Sequence, residues 1–190
     1  MGKVVLGIDL AGSSNRDSGV AVITGGHVVF VGVVRSDEEI MKLVKRFKPG
    51  LIAIDAPLTL PAGRRNIDEK CSAHFRECDM KLRERRIRFF PITIGPMRML
   101  TKRGMALKRK IKGITVVEVF PGATYDVMGI PRKDKKKILR FFSREISLDK
   151  RDYTQDELDG VCCAFTGKLI LENRAVELSG KDGCIWLPKK

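Results

Sequence analysis

Five acidic residues have the type and placement to do chemistry. Asp9 ends the apolar run "KVVLGI", Asp55 ends "LIAI", and Glu118 ends "ITVV". Asp156 and Asp159 stand three apart in "YTQDELDGVCCAFTGKL", so on a helix they share one face. Ligand sites in open α/β sheets form at the carboxyl ends of the strands. Neighbouring strands lie about 5 Å apart, and two carboxylates held that close repel unless a cation sits between them. Hard oxygen ligands of this kind suit Mg²⁺ or Mn²⁺. A pair of such ions about 3.5–4 Å apart activates water and stabilises the leaving oxygen in phosphodiester cleavage. His27 and His74 fall in a hairpin and a charged loop region, so neither stands in a general-base position. Singly, each acid has a plainer use: Asp9 before "LAGSS" suits a turn, and Asp156 suits the first turn of a helix. Their joint placement at strand ends favours a metal site of Asp9, Asp55, Asp156 and Asp159, with Glu118 as a further catalytic candidate.

The elements that must position these acids can be read from periodicity. "KVVLGIDL" is a buried strand; "GVAVIT" and "HVVFVGVV" flank Gly25-Gly26 as a β-hairpin. Ser36 and Glu39 form a capping box ahead of an apolar stripe at Ile40, Leu43, Val44 and Phe47, and Pro49-Gly50 stops that helix. "LIAIDAPL" is a fourth strand, parallel to the first through a right-handed crossover. Residues 58–112 break the alternation and read as a charged, mostly helical insertion within a single domain spanning residues 1–190. "ITVVEVFPGATYD" returns to the sheet. "IPRKDKKKILRFFSRE" starts a helix with Pro131 near its first turn. Thr154 and Glu157 make a second capping box on the last long helix, where Gly160, Cys163, Ala164 and Gly167 permit close packing on the sheet. "GCIWLPK" adds a short strand at an edge, where Pro188 is tolerated.

The chain has 190 residues and a net charge of +14, with 37 Lys and Arg against 23 acids. An ion-pair network would raise acids alongside bases, so this excess favours a polyanionic partner, nucleic acid first. Arg64, Arg65, Arg83, Arg85, Arg86 and Arg88 give the insertion the character of a backbone track. Ser13, Ser14 and Arg16, in the loop after Asp9, are residue types that contact phosphate. Aromatics are only 6%, which argues against a broad stacking platform, and Phe89 and Phe90 read as core. Five cysteines without a secretory signal point away from a disulfide framework. Cys71, His74 and Cys78 lack a CxxC pair and a fourth ligand, so they do not read as a zinc site. No apolar run reaches the roughly 18 residues of a spanning helix, and the expectation is a cytoplasmic protein with no membrane partner.

"GIDLAGS", "IAIDAPLTLP", "RECDMKLRERRIRFFP", "VVEVFPGATYD" and "DELDGVCCAFTGKL" together resemble domain of unknown function 429, whose members are regarded as predicted nucleases of the ribonuclease H-like fold. The motifs occur in order over nearly the whole chain. "D-x-x-D-G" at Asp156–Gly160 is also similar to the acidic pair on the last helix of Holliday-junction resolvases, where Ala usually follows. The resemblance implies an α/β, ribonuclease H-like mixed five-stranded sheet. Strands 1–3 are antiparallel, strands 4 and 5 run parallel to strand 1, and helices flank the sheet. It also implies Asp9, Asp55 and the Asp156/Asp159 pair as metal ligands. The expected function is a Mg²⁺- or Mn²⁺-dependent nuclease acting on structured or duplex DNA or RNA. Two alternatives stand beside it. One is a nucleic-acid-binding module without catalysis. The other is a phosphotransferase or nucleotide hydrolase related to actin-like domains, whose phosphate hairpin "GIDLAGSS" resembles, although no GxxxxGK[ST] is present. Resolvase-like enzymes are often dimers, so a homodimer stays open.

Overall fold

A computed structural model describes residues 3–189. Its main sheet has the order β3-β2-β1-β4-β5, formed by β1 (Val5–Asp9), β2 (Ser18–Thr24), β3 (His27–Val34), β4 (Leu51–Asp55) and β5 (Thr115–Glu118). The first three strands are antiparallel; β4 pairs parallel to β1, and β5 parallel to β4. This is the sheet expected from the sequence. Gly25 and Gly26 both take positive φ, as a tight turn between β2 and β3 requires.

Period-two alternation sorts each strand between two layers. Leu6, Ile8, Ile52 and Ile54 point to one face. There they pack with Ile40, Leu43 and Val44 of α1 (Asp37–Phe47) and Leu107 of α3 (Gly95–Lys110). Val5, Leu51 and Ala53 point to the other face and meet Cys163 of α6 (Gln155–Leu171). The α6 helix is apolar around most of its circumference because α5 (Lys135–Glu145) and the sheet cover opposite sides of it. Both capping boxes form: Ser36 with Glu39 on α1, and Thr154 with Glu157 on α6.

Small residues let α6 lie almost on the strand backbones. A Cβ at Gly160 would come 2.7 Å from the Gly19 carbonyl carbon. A Cβ at Gly19 would run into the backbone carbonyl of Asp156, and one at Gly7 into the backbone of Ala164. Gly19 is the cross-strand partner of Asp9, so this approach brings the first turn of α6 to the end of β1. Gly19→Ala must therefore push that turn away. It is expected to cost about 1–3 kcal/mol, the range for overpacking a tight contact. Chemical denaturation checks it, and a variant of wild-type stability would show that α6 does not seat as described.

Four elements differ from the sequence reading. In residues 58–94 only α2 (Glu77–Glu84) is helical; residues 56–76 are irregular, held by side chain-to-backbone bonds that a charge pattern does not reveal. The helix after Pro131 begins at Lys135, capped by the Asp134 side chain, so Pro131 precedes it in a turn. "PGATYDV" forms α4 (Pro121–Val127), with Pro121 in its first turn. Finally, β7 (Gly183–Pro188) is not an edge strand of the main sheet. It pairs with β6 (Ala175–Gly180) in a separate hairpin and touches the end of β5 through a Val119–Trp186 bridge. No helix among the described residues is long and apolar enough to cross a membrane.

Candidate active site

Asp9 and Asp55 are register partners at the ends of adjacent parallel strands. Alternation puts both on the face that α6 covers. Neither carboxylate has a hydrogen-bond or ion-pair partner among the described residues. Burial raises the pKa of Asp9 well above the usual carboxylate range, and the charges of Asp55, Asp159 and Asp156 raise it further. Arg16 is the opposing cation. Burial likewise raises Asp55, with Asp159 and Glu118 adding to it and Arg132 opposing. The Cys163 thiol packs near Asp55 and Asp9 and the Cys162 thiol near Asp159, and burial keeps both neutral. The floor of the site is therefore apolar and uncharged, which strengthens every charge interaction above it.

Asp159 is held from two sides. Tyr125 donates its hydroxyl to Oδ1 at 2.7 Å, and Gln155 donates Nε2 to the same oxygen at 3.0 Å. Both donors occupy one oxygen, which leaves Oδ2 available. Burial still raises the pKa of Asp159. Asp156 is exposed and lines a cleft of about 620 Å³ with Asp9, Ser13 and Arg16. The cleft's far wall is the start of α3, whose N-cap Ile94 offers no side-chain hydrogen bond and whose first turn has no acid. Arg103 fastens the loop after β1 from below. It donates to the carbonyls of Ala11 at 2.8 Å and Arg35, and pairs with Asp37 at 3.0 Å.

Glu118 does not join this group. It is level with Ile54, not Asp55, so alternation turns it to the opposite face. The β5 position beside Asp55 belongs to Val119, whose amide bonds the Ile54 carbonyl. Both Glu118 oxygens are engaged by Arg76, at 2.6 and 2.7 Å, and Oε2 also accepts the Leu58 amide at 2.8 Å. Arg76 is 1% exposed and also grips Asp79 at 2.8 Å. This buried cluster was absent from the sequence reading. "RECD" carries the Arg76–Asp79 spacing, but the Glu118 partner is 42 residues away.

The basic candidates divide. Arg64 is buried, and its guanidinium donates to the carbonyls of Ala73, Asn66, Ile67, Glu69 and Cys71, so it organises its own loop and offers nothing to a partner. Arg65, Arg83 and Arg86 are exposed, as is Ser14. Phe90 does not join the core: it is 68% exposed.

The family model described as "Protein of unknown function (DUF429)" matches residues 7–182. The chain belongs to the DUF429 family. The fold of this DUF429 chain is similar to that of Thermus thermophilus RuvC, with a TM-score of 0.52 at 13% identity, covering 90% of this chain and 96% of that one. T. thermophilus RuvC in complex with Holliday junction substrate matches with the same figures. The DUF429 chain thus carries a ribonuclease H-like fold. It has no significant sequence match among curated proteins.

Proposed function

We propose that this protein is a divalent-metal-dependent nuclease whose centre is the Asp9–Asp55 pair. The observation that carries the reading is the register: two desolvated carboxylates side by side with no direct protein cation partner. Such a pair is costly by itself and is relieved by a hard cation. Among the described residues no group of three or more His, Cys, Asp or Glu side chains is gathered closely enough to cage a metal. A pair of carboxylate oxygens suits Mg²⁺ or Mn²⁺, ions often held by one or two carboxylates with waters and substrate phosphate completing the shell. Asp9 and Asp55 would hold the ion, and Asp159 and Asp156 would add negative charge near it without standing close enough to complete a three-carboxylate cage. When bound, the metal would supply an activated water and charge neutralisation at the scissile phosphate.

The chain's own residues do the rest. Tyr125 and Gln155 fix the rotamer of Asp159 and leave one oxygen free. Ser13, Arg16 and the uncapped amides at the start of α3 offer donors to a phosphate in the cleft. Glu118, tied to Arg76, holds the chain after β4 at Leu58 and so fixes the loop that leaves Asp55. The likeness to RuvC bound to a Holliday junction supports a nucleic-acid substrate, and the +14 charge supports it independently.

The test is purified protein with labelled single-stranded, duplex and branched DNA and the matching RNAs, with Mg²⁺, Mn²⁺ or EDTA. Cleavage that needs the metal is expected. Nucleic-acid binding without cleavage under every condition would instead establish a non-catalytic binding module.

A further inference from the structure

Beyond the carboxylates, the segment around and after α2 forms a second feature with Phe120 and Arg132. A groove of about 810 Å³ is lined by Phe75, Phe89, Phe90 and Phe120 together with Arg83, Arg86, Arg88 and Arg132. No acid lines it. Arg83, Arg86 and Arg88 have no ion-pair partner among the described residues. Phe89 and Phe120 pack against the core, whereas Phe90 is 68% and Phe75 37% exposed. Phe75 and Phe89 meet edge to face with centroids 6.0 Å apart. Arg83 lies 5.9 Å from the Phe75 ring and Arg132 5.4 Å from Phe120.

The groove adjoins a second, smaller cavity. Phe89, Phe90 and Phe120 also line that cavity, whose wall includes Asp55 together with the Arg76, Asp79 and Glu118 cluster. Shared aromatic residues therefore set the groove beside a cavity whose wall holds one carboxylate of the proposed metal pair.

Arg86 adds an independent observation. It sits just past the end of α2 with φ +58, where its amide bonds the Arg83 carbonyl and the next amide, of Ile87, bonds the Leu82 carbonyl. Glycine is favoured at such a helix end because a side chain in the left-handed region is strained. The helix dipole favours a cation there, as at Lys48 after α1, and the exposed guanidinium stays free to meet an anion.

We infer that this groove binds an unpaired stretch of nucleic acid, its bases stacking on Phe90 and Phe75 and its phosphates paired with Arg83, Arg86 and Arg88. Duplex bases present no free face to an aromatic side chain, whereas single-stranded ones do. Charge complementarity selects a polyanion, and the rings select one with exposed π-faces. At about 810 Å³ the groove falls within the range of sites that take a drug-sized ligand, enough for roughly one or two nucleotides. This inference deepens the nuclease reading: the substrate would carry a single-stranded segment beside the bond that is cut.

Fluorescence anisotropy in EDTA separates binding from cleavage, using a labelled single-stranded oligonucleotide and the blunt duplex of the same sequence. The wild type should bind the single strand more tightly. Phe90→Ala, at a solvent-exposed ring, should weaken that binding about 5- to 100-fold, the range for losing one base–aromatic stack, with duplex binding changed less than about twofold. Phe75→Ala should act in the same direction. Arg86→Gly should lower the salt slope by about one and weaken the single-strand complex, while the melting temperature holds or rises. Equal affinity for both probes, or an unchanged Phe90→Ala, overturns the inference. If the groove binds single strands as described but no metal supports cleavage, the groove stands and the nuclease reading falls. If cleavage proceeds with Phe90→Ala indistinguishable from wild type in binding and rate, the groove falls and the nuclease reading stands.

Discussion

Asp55→Asn is expected to abolish metal-dependent cleavage and, in the same preparation, to raise the melting temperature of the metal-free protein. The two effects share one cause. Asp55 and Asp9 are desolvated neighbours, and both have pKa values above the ordinary range. A carboxyl whose folded pKa is raised favours the folded state most when protonated. Its contribution is fully present below the unfolded value near 3.9 and is lost as pH rises through the folded value. Above the ordinary carboxylate range the metal-free wild type therefore carries a cost, either as repulsion between ionised carboxylates or as proton uptake that the unfolded chain does not need. Asn keeps the shape and removes the charge. The gain is about 1 kcal/mol once partial exposure is allowed for, or roughly 2–4 °C for a chain of this size. Removing a ligand that anchors the metal takes away several kcal/mol of transition-state stabilisation, at least about a thousandfold in rate. Manganese should raise the melting temperature of the wild type, because it binds only the folded state, and should do so little or not at all for the variant. Melting scans in EDTA and in millimolar Mn²⁺, beside a cleavage assay, read all of this. If Asp55→Asn melts lower than wild type in EDTA, the repulsion argument is wrong.

The same residues show what a sequence can disclose about such a site. Strand ends, hairpin and both capping boxes follow from local patterns, and so does the placing of Asp9 and Asp55, because each closes an apolar run on a strand of identical length. Glu118 closes a similar run, yet β5 is offset by one residue relative to β4, so the residue level with Asp55 is Val119. One residue of register moves a side chain to the other face. Pairing register is a non-local property, and "ITVVEVF" does not announce it. The irregular loops of residues 56–76 were opaque for a related reason. Their structure depends on Arg64 donating to five carbonyls and on Arg76 reaching Glu118, and neither leaves a periodic signature. Phe90 misled in the opposite direction. An adjacent aromatic pair before Pro91 has the composition of a core, and only the folded chain shows that one ring is turned out to solvent.

Arg76→Met is expected to destabilise the fold more than Asp55→Asn or Gly19→Ala. Its guanidinium is fully buried and satisfies both oxygens of Glu118 and both of Asp79. Taking it away leaves two buried carboxylates without their cation, and breaking a buried pair from one side costs about 3–5 kcal/mol. Glu118 already has a raised pKa because burial outweighs the relief from Arg76. Without Arg76 its folded pKa rises further, so the loss in Arg76→Met should be greatest at neutral and higher pH. It should shrink as the pH falls through that raised value and Glu118 takes up a proton. Adding Glu118→Gln to Arg76→Met should recover part of the loss, since an amide there can still accept the Leu58 amide without a charge to compensate. Denaturant titrations of the two single variants and the double variant across pH give the coupling energy directly. Additive losses with no pH dependence would mean that the cluster acts through packing alone. Coupling would assign it a different role, an ionic clamp under the loop that leaves Asp55. Its loss should then slow cleavage in Arg76→Met even at a pH and temperature where the protein remains folded.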